Sequence, residues 1–427
     1  MKSIATGMLV VLALAWSVPA TAKLGGGVTL TKENWTKEAA FAPNLANPAF
    51  KAGDTLDATN FKALGDWIVP GVATLMEKHG LKLWTRTYKR IWPSAGYIEA
   101  TNKYAKDVEL LEASSNPRVK GIKNYTAGLP FPNPQTGLEV AWNYQYGYQG
   151  DDGGFHYGVY WISGKSGVER SEEWRWLYII RAMHRTDLEP KPHIPALAAK
   201  NVQYTSMTWA IAPYDKAGFG ALYSRGEEPK DQEGWIYIPT MRRTMKATFG
   251  TRGDAWNSTD MLYEDVRGFM GYPEWMNWKL LEKKTILAPM HAGVPQGKEA
   301  LNQVFDFETA PYWNPKLKWE PRSVYVVEAT AKFPDYPYAK MVFYFDAESN
   351  CIPIKEMYDK KGKLWKVQIN AYNDSPDMDK APPAVGTSLM VDLQANHATA
   401  FPSYNFKANI NLDPGKFSLS NLQKLGK

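Results

Sequence analysis

The apolar and polar positions of this chain alternate most cleanly toward its end. In "KMVFYFDAESNCIPIKEMYDKKGKLWKVQI", Met341, Phe343 and Phe345 fall on one side of a period-two pattern, and Val342 and Tyr344 on the other. Ile352, Ile354, Glu356 and Tyr358 alternate next, followed by Trp365, Val367 and Ile369. Successive side chains point to opposite faces of a strand, so the pattern predicts a three-stranded meander. The polar stretches 346–350 and 359–362 supply its turns, the second ending in Gly362, which tolerates positive φ. Both faces carry large apolar groups, so each face needs a cover.

Upstream, the period changes. Asn60 offers an N-cap for Phe61, Leu64, Ile68, Val72, Leu75 and Met76 at helical spacing, Pro70-Gly71 should kink or split that helix, and Gly80 should end it. "LKLWTRTYKRIW" alternates as a strand, and "IEATNKYAKDVELLEAS" reads as a second helix. From Leu138 onward the pattern predicts strands at "GLEVAWNYQYGYQ", "FHYGVYWIS", "EWRWLYII", "VQYTSMTWAIA", "GFGALYS" and "GWIYIPTMRRTMK". A short helix at "DMLYEDVRGF" precedes a break rich in Pro, Trp and Asn over 268–320. Strands resume at "SVYVVEATAKF", run through the meander, and end with one at "SLMVDLQANHATAF". No period of repeat length occurs. Many antiparallel strands with two or three helices predict a mainly β (α+β) fold. It should be one large curved sheet forming an open half-barrel, with the helices over its concave face. The expected boundaries are an irregular lead-in over 23–59, a single domain over 60–415 and a tail over 416–427.

Composition narrows the setting. Residues 1–22 read as a cleaved signal peptide: Lys2, then the apolar run 8–16, then Ala20-Thr21-Ala22 at the cut. Lys23 follows the cut, so no Cys stands there to carry lipid. No later apolar run is long enough for a membrane helix. This predicts export to the periplasm. Cys351 is the single cysteine, which leaves no intramolecular disulfide, and it reads as a small apolar residue. The formal charge of +6 is spread along the chain and gives no argument for nucleic acid. Aromatic residues make up 13%, including 17 Trp, and such side chains gather in cores, interfaces and ligand cavities.

Catalytic patterns do not assemble. "GVYWISGKS" has Val159 where a phosphate-binding loop needs Gly, so it reads as a hairpin turn. The histidines 79, 156, 184, 193, 291 and 397 lack zinc spacing, and His184 and His193 read as solvated. "QGDDGGFH" reads as a turn rather than a calcium loop, and the pairs Glu172-Glu173 and Glu227-Glu228 as solvated. No cofactor, metal or catalytic residue is expected. In "WIYIPTMRRTMKATFGTR", Trp235 and Tyr237 share one face and Ile236 and Ile238 the other, before Arg242, Arg243, Lys246 and Arg252 crowd together. That cluster is either a solvated basic rim or a cavity mouth that meets an acidic head group or partner.

"GLPFPNPQTGLEVAWNYQYGYQG" resembles the signature of a proteobacterial family of exported proteins of unknown function, labelled outer-membrane lipoprotein-sorting-like. "WIYIPTMRRTMKA", "YEDVRGFMGYPEWMNWKLLEKKTILAP", "VYVVEATAKFPDYPYAKMVFYFDAES" and "YDKKGKLWKVQ" resemble its later blocks, in order, over most of 60–400. The resemblance implies the fold of the lipoprotein carriers LolA and LolB, with a hydrophobic cavity for acyl chains. It also implies partners: an RND-type inner-membrane exporter and an outer-membrane protein. The resulting expectation is a periplasmic carrier for a lipid or other hydrophobic small molecule. Its cavity wall would come from Trp174, Trp176, Tyr178, Trp209, Trp235, Tyr237, Tyr344 and Trp365, with Arg242 and Arg243 as head-group or partner contacts. The alternatives are a structural adaptor with a dry core, and an unrecognised enzyme.

Overall fold

The computed structural model describes residues 28–111, 116–229, 233–248, 253–375 and 377–426; the expected signal peptide and Arg252 lie outside them. In chain order the long strands begin with β1 (Asp152–Ser163), β2 (Gly167–Arg181), β3 (Val202–Ala212), β4 (Gly220–Gly226), β5 (Glu233–Ile238) and β6 (Arg243–Thr248). They continue with β7 (Met276–Ala288), β8 (Lys318–Ala331), β9 (Lys340–Asp346), β10 (Ile354–Tyr358), β11 (Leu364–Asn373), β12 (Ala384–Asp392) and β13 (His397–Ala408). All belong to one sheet with the order β8-β9-β10-β11-β12-β13-β1-β2-β3-β4-β5-β6, and β7 pairs with the outer side of β8. Two runs of consecutive antiparallel strands are thus sewn together where β13 meets β1. Short strands Thr55–Leu56 and Leu83–Thr85 extend the start of β8, the latter in parallel. The sheet is open, and the protein is mainly β.

The meander forms as the alternation predicts, and each face has its own cover. Met341, Phe343 and Phe345 bury with Phe269, Trp275, Tyr338 and Met357. Val342 and Tyr344 bury on the opposite side with Ile354, Val367, Ile369 and residues of helix α1 (Pro70–His79). The split at Pro70 is present: a 3-10 segment Phe61–Trp67 precedes α1, and Gly80 closes it in the left-handed conformation at φ 65°. Pro70 needs no backbone donor at the first helical position, and the Glu356 carboxylate accepts the next N–H, from Gly71, at 2.6 Å. The helices are divided between the two faces of the sheet rather than gathered on one.

Several sequence expectations are corrected. "GLEVAWNYQYGYQ" is not a strand; it opens as helix α3 (Gly137–Gln145), which packs on the same side as Phe343 and Phe345. The cause is a capping box: Thr136 Oγ1 accepts from the Glu139 N–H at 3.2 Å, and the Glu139 carboxylate accepts from the Thr136 N–H at 3.0 Å. The break over 268–320 contains the long strand β7, whose alternation is hidden by Lys279, Glu282, Lys283 and Lys284 and by a bulge between Leu280 and Glu282. "SLMVDLQANHATAF" holds the parts of two strands, β12 and β13. "LKLWTRTYKRIW" is strand only at Leu83–Thr85, the second helix α2 spans Ala95–Tyr104, and "DMLYEDVRGF" is a single 3-10 turn at Tyr263–Asp265. The lead-in buries Trp35, whose Nε1–H donates to the Glu348 carbonyl at 3.0 Å. The expected tail includes helix α4 (Leu419–Leu425), whose Leu422 is fully buried.

Candidate functional site

Strand β2 carries the geometry that opens a site. Between Arg175 and Tyr178 its register against β3 slips, and Trp176 there adopts φ 31°. One extra residue in a strand shifts the phase of every side chain after it. Without it, Trp174 and Arg181 would face opposite sides, since their positions differ by an odd number. With it, Trp174, Leu177, Ile179 and Arg181 all face one hollow. Trp176 and Tyr178 turn to the other side, where their rings stack at 5.1 Å.

The hollow has a volume of about 370 Å³, within the range of small-molecule sites. Phe155 and Tyr157 of β1, Tyr204, Ser206 and Thr208 of β3, and Ala221 and Tyr223 of β4 continue its floor from β2. Asn370 and Tyr372 of β11 and Phe401 and Ser403 of β13 complete the floor toward the meander. The segment 255–270 runs over this face and contributes Trp256, Met261, Tyr263, Glu264, Val266, Arg267 and Met270. One part of the hollow is aromatic: Tyr157 and Trp174 stack at 5.9 Å, with Phe155, Phe219, Trp256 and Phe401 packed around them.

The covering segment is fixed to the sheet by buried polar contacts. Asp265 pairs with the Lys355 ammonium, both fully buried, and also accepts from the Tyr338 hydroxyl at 2.6 Å and the Leu262 N–H at 2.9 Å. Gln368 Nε2 donates to the Asp265 carbonyl at 2.8 Å, and Lys355 to the Gly268 carbonyl at 3.1 Å. At the other end Asp260 accepts from the Thr399 hydroxyl at 2.6 Å and lies 2.7 Å from His397 Nδ1. The hydrogen bond to Asp260 raises the His397 pKa above its ordinary value, against burial and with help from the charges of Asp260 and Glu169.

Cations also reach the hollow. Arg181 donates to the Gly150 carbonyl at 3.1 Å and to the Gln149 side chain. Burial holds its basicity below the usual range, and the nearby charge of Arg267 lowers it further. Cys351, beside Tyr372, is half-buried; burial pushes its thiol up to about 11, so it stays protonated at neutral pH. Among the described residues no group of three His, Cys, Asp or Glu side chains could hold a metal ion, and no helix is long and apolar enough to cross a membrane.

Of the wall residues expected from sequence, Trp174 lines the hollow. Trp209 and Tyr237 bury on the opposite face against Leu422 of α4, with Tyr178 and Trp235 packed beside them. Tyr344 buries in the cluster that contains α1, and Trp365 lies against Tyr338 with its Nε1–H donating to Asp392 at 2.8 Å. Arg242 and Arg243 are exposed at the turn between β5 and β6 and do not line the hollow. The residues missed include Tyr157, Tyr204, Arg181, Arg267, Trp256 and Phe401. A signal existed for the arginines: each is a lone cation in an apolar setting, in "LYIIRAM" and "VRGFM". Glu172 is buried and the His184 and Glu227 side chains are largely covered rather than solvated; His184 Nε2 lies 3.0 Å from Glu227, and Glu172 accepts from Trp174 Nε1–H at 3.1 Å.

The sequence pattern of the family described as "Protein of unknown function (DUF1329)" matches residues 55–423, and the chain belongs to this family. It is similar to an uncharacterized protein of Pseudomonas aeruginosa, at 26% identity over 344 residues, 76% of this chain and 70% of that one. Among solved structures it is similar to a DUF1329 family protein from Desulfovibrio piger (13% identity, 67% of this chain and 97% of that one, TM-score 0.47). It is also similar to a LolA superfamily protein from Nitrosomonas europaea (12% identity, 67% and 99%, TM-score 0.39).

Proposed function

We propose that this member of the DUF1329 family is a periplasmic carrier that shelters a hydrophobic ligand, a lipid or acyl chain, in the hollow beneath residues 255–270. The observation that carries the reading is an aromatic-walled space of about 370 Å³ beside a meander whose own face is filled. An acyl chain gains ~0.8 kcal/mol per methylene moved out of water, so a dozen methylenes supply roughly 10 kcal/mol before the costs of ordering. Such a ligand needs surface rather than directed polar chemistry, and aromatic side chains provide it. The protein acts by binding, without catalysis. Arg242 and Arg243, exposed at the hairpin end, suit an acidic surface on a partner. An RND-type exporter and an outer-membrane protein are the partners the reading assigns.

The test is native mass spectrometry of protein purified from the periplasm without detergent. A lipid or fatty acid bound one per chain is the expected result. Protein that arrives empty, and that also fails to bind a neutral dye which brightens in apolar surroundings, overturns the reading.

A further inference from the structure

The hollow is apolar along most of its wall, yet two guanidinium groups enter it. Arg181 closes strand β2, roughly 20 Å along the strand from Trp174. Arg267 comes from the covering segment, and its charge is felt by Arg181 and by Tyr372, both wall residues. Neither has a carboxylate within ion-pair distance among the described residues. Asp151, near Arg181, accepts instead from the backbone N–H groups of Thr186, Asp187 and Leu188. Glu264 also borders the hollow and accepts from the Tyr336 hydroxyl at 2.9 Å.

Arg267 has a further peculiarity. The fold uses its backbone carbonyl, which accepts from the Tyr144 hydroxyl at 3.0 Å, while its guanidinium has no hydrogen-bond partner among the described residues. It stands at φ 60°, a conformation that suits Gly or Asn better than Arg. A long cation is therefore held in a disfavoured backbone state with no carboxylate within ion-pair distance among the described residues. Two like charges facing a largely apolar space are relieved by an anion placed between them.

Building on the carrier reading above, we infer that the hollow takes an amphiphile with one anionic head, a carboxylate or a phosphate, held by Arg181 and Arg267, with its chain along Trp174 and Tyr157. Arg181 is the fixed contact, oriented by Gln149 and Gly150. Arg267 is the free one, and it sets the preference for charge.

The experiment displaces the neutral dye N-phenyl-1-naphthylamine from the whole protein with dodecanoate, dodecyl phosphate, dodecanol and dodecylamine. All are kept below their micelle-forming concentrations, with acetate and inorganic phosphate as chainless controls. Dodecanoate or dodecyl phosphate should displace the dye at least roughly tenfold better than dodecanol, about 1.4 kcal/mol; whichever of the two is stronger identifies the head. Arg267→Gln should abolish that margin without lowering the melting temperature. Arg267→Lys should restore part of it. Equal displacement by dodecanoate, dodecyl phosphate and dodecanol, or stronger displacement by dodecylamine, overturns the anionic head but leaves the carrier reading standing. Displacement by acetate or inorganic phosphate as effective as that by the amphiphiles also overturns it. A protein that never binds the dye or any of the alkyl compounds overturns both.

Discussion

The two halves of the sheet use the same kind of side chain for opposite ends. In the meander half, Phe343 and Phe345 stack at 5.4 Å, Trp278 lies 5.4 Å from Phe343, and Phe269 closes over it at 5.9 Å. In the other half, Tyr157, Trp174 and Phe219 stand at similar spacing, with the hollow beside them. Aromatic content does not separate a filled face from an empty one; what lies over the rings does. The meander is covered by α3 and by 261–278, which insert their own side chains into it. Over β1–β4 the segment 255–270 borders the space without filling it.

This contrast can be broken from either side. The largest effect belongs to Phe343→Ala, which empties a close-packed site and should cost about 3–5 kcal/mol in denaturant unfolding. Trp174→Ala, at a wall that already borders a void, should cost less; an equal cost would erase the distinction between the halves. Next comes Lys355→Met, which leaves Asp265 buried without its counter-charge and should cost about 3 kcal/mol or more. Because Asp265 belongs to the cover, this variant should also weaken dye binding, which Phe343→Ala should spare. Ala221→Trp sharpens the comparison by making the hollow half resemble the filled one. It should abolish dye binding at a stability change of about 1–3 kcal/mol at most, read by unfolding and dye titration together.

The smallest effect concerns pH. His397 is held above its ordinary pKa of about 6.5, so the folded state binds its proton more tightly than the unfolded state. The stabilisation is complete below that unfolded value and is lost as pH rises through the raised folded one. The melting-temperature gap between the native protein and His397→Gln should therefore narrow as pH rises from below the unfolded value through the raised folded one. A gap that widens instead would mean that Asp260 is not held by a charged imidazole.

The sequence made the strands legible wherever one period ran uninterrupted. The meander, β3 and the split at Pro70 follow directly from spacing, because the register shifts in the meander and in β3 fall near the strand ends. The helix at 137–145 was also legible, since Thr136 and Glu139 stand three apart, but its Trp and Tyr content suggested a strand. Strand β7 hid behind its lysines, because one of its faces is exposed. The site was legible only at Trp174. Strict alternation groups Trp174 with Trp176 and Tyr178, and a single irregular φ, which no local residue type announces, sends the latter two outward. Arg267 reaches the hollow from a segment brought there by Lys355 and Gln368, which lie far from it in the chain. Contacts that distant leave no periodic trace.

The irregularity in β2 also bears on how relatives of this chain can diverge. Trp176 is the supernumerary position, so a gene that loses its codon keeps Trp174, Leu177, Ile179 and Arg181 in phase and straightens the strand. Dropping one codon before Trp174 would leave the order of inward groups unchanged as well, whereas dropping one between Ile179 and Arg181 would turn the arginine to the opposite surface. Length changes of one residue, ordinarily ruinous inside a sheet, are thus graded here by where they fall, and an alignment gap at 175–177 should be the tolerated kind.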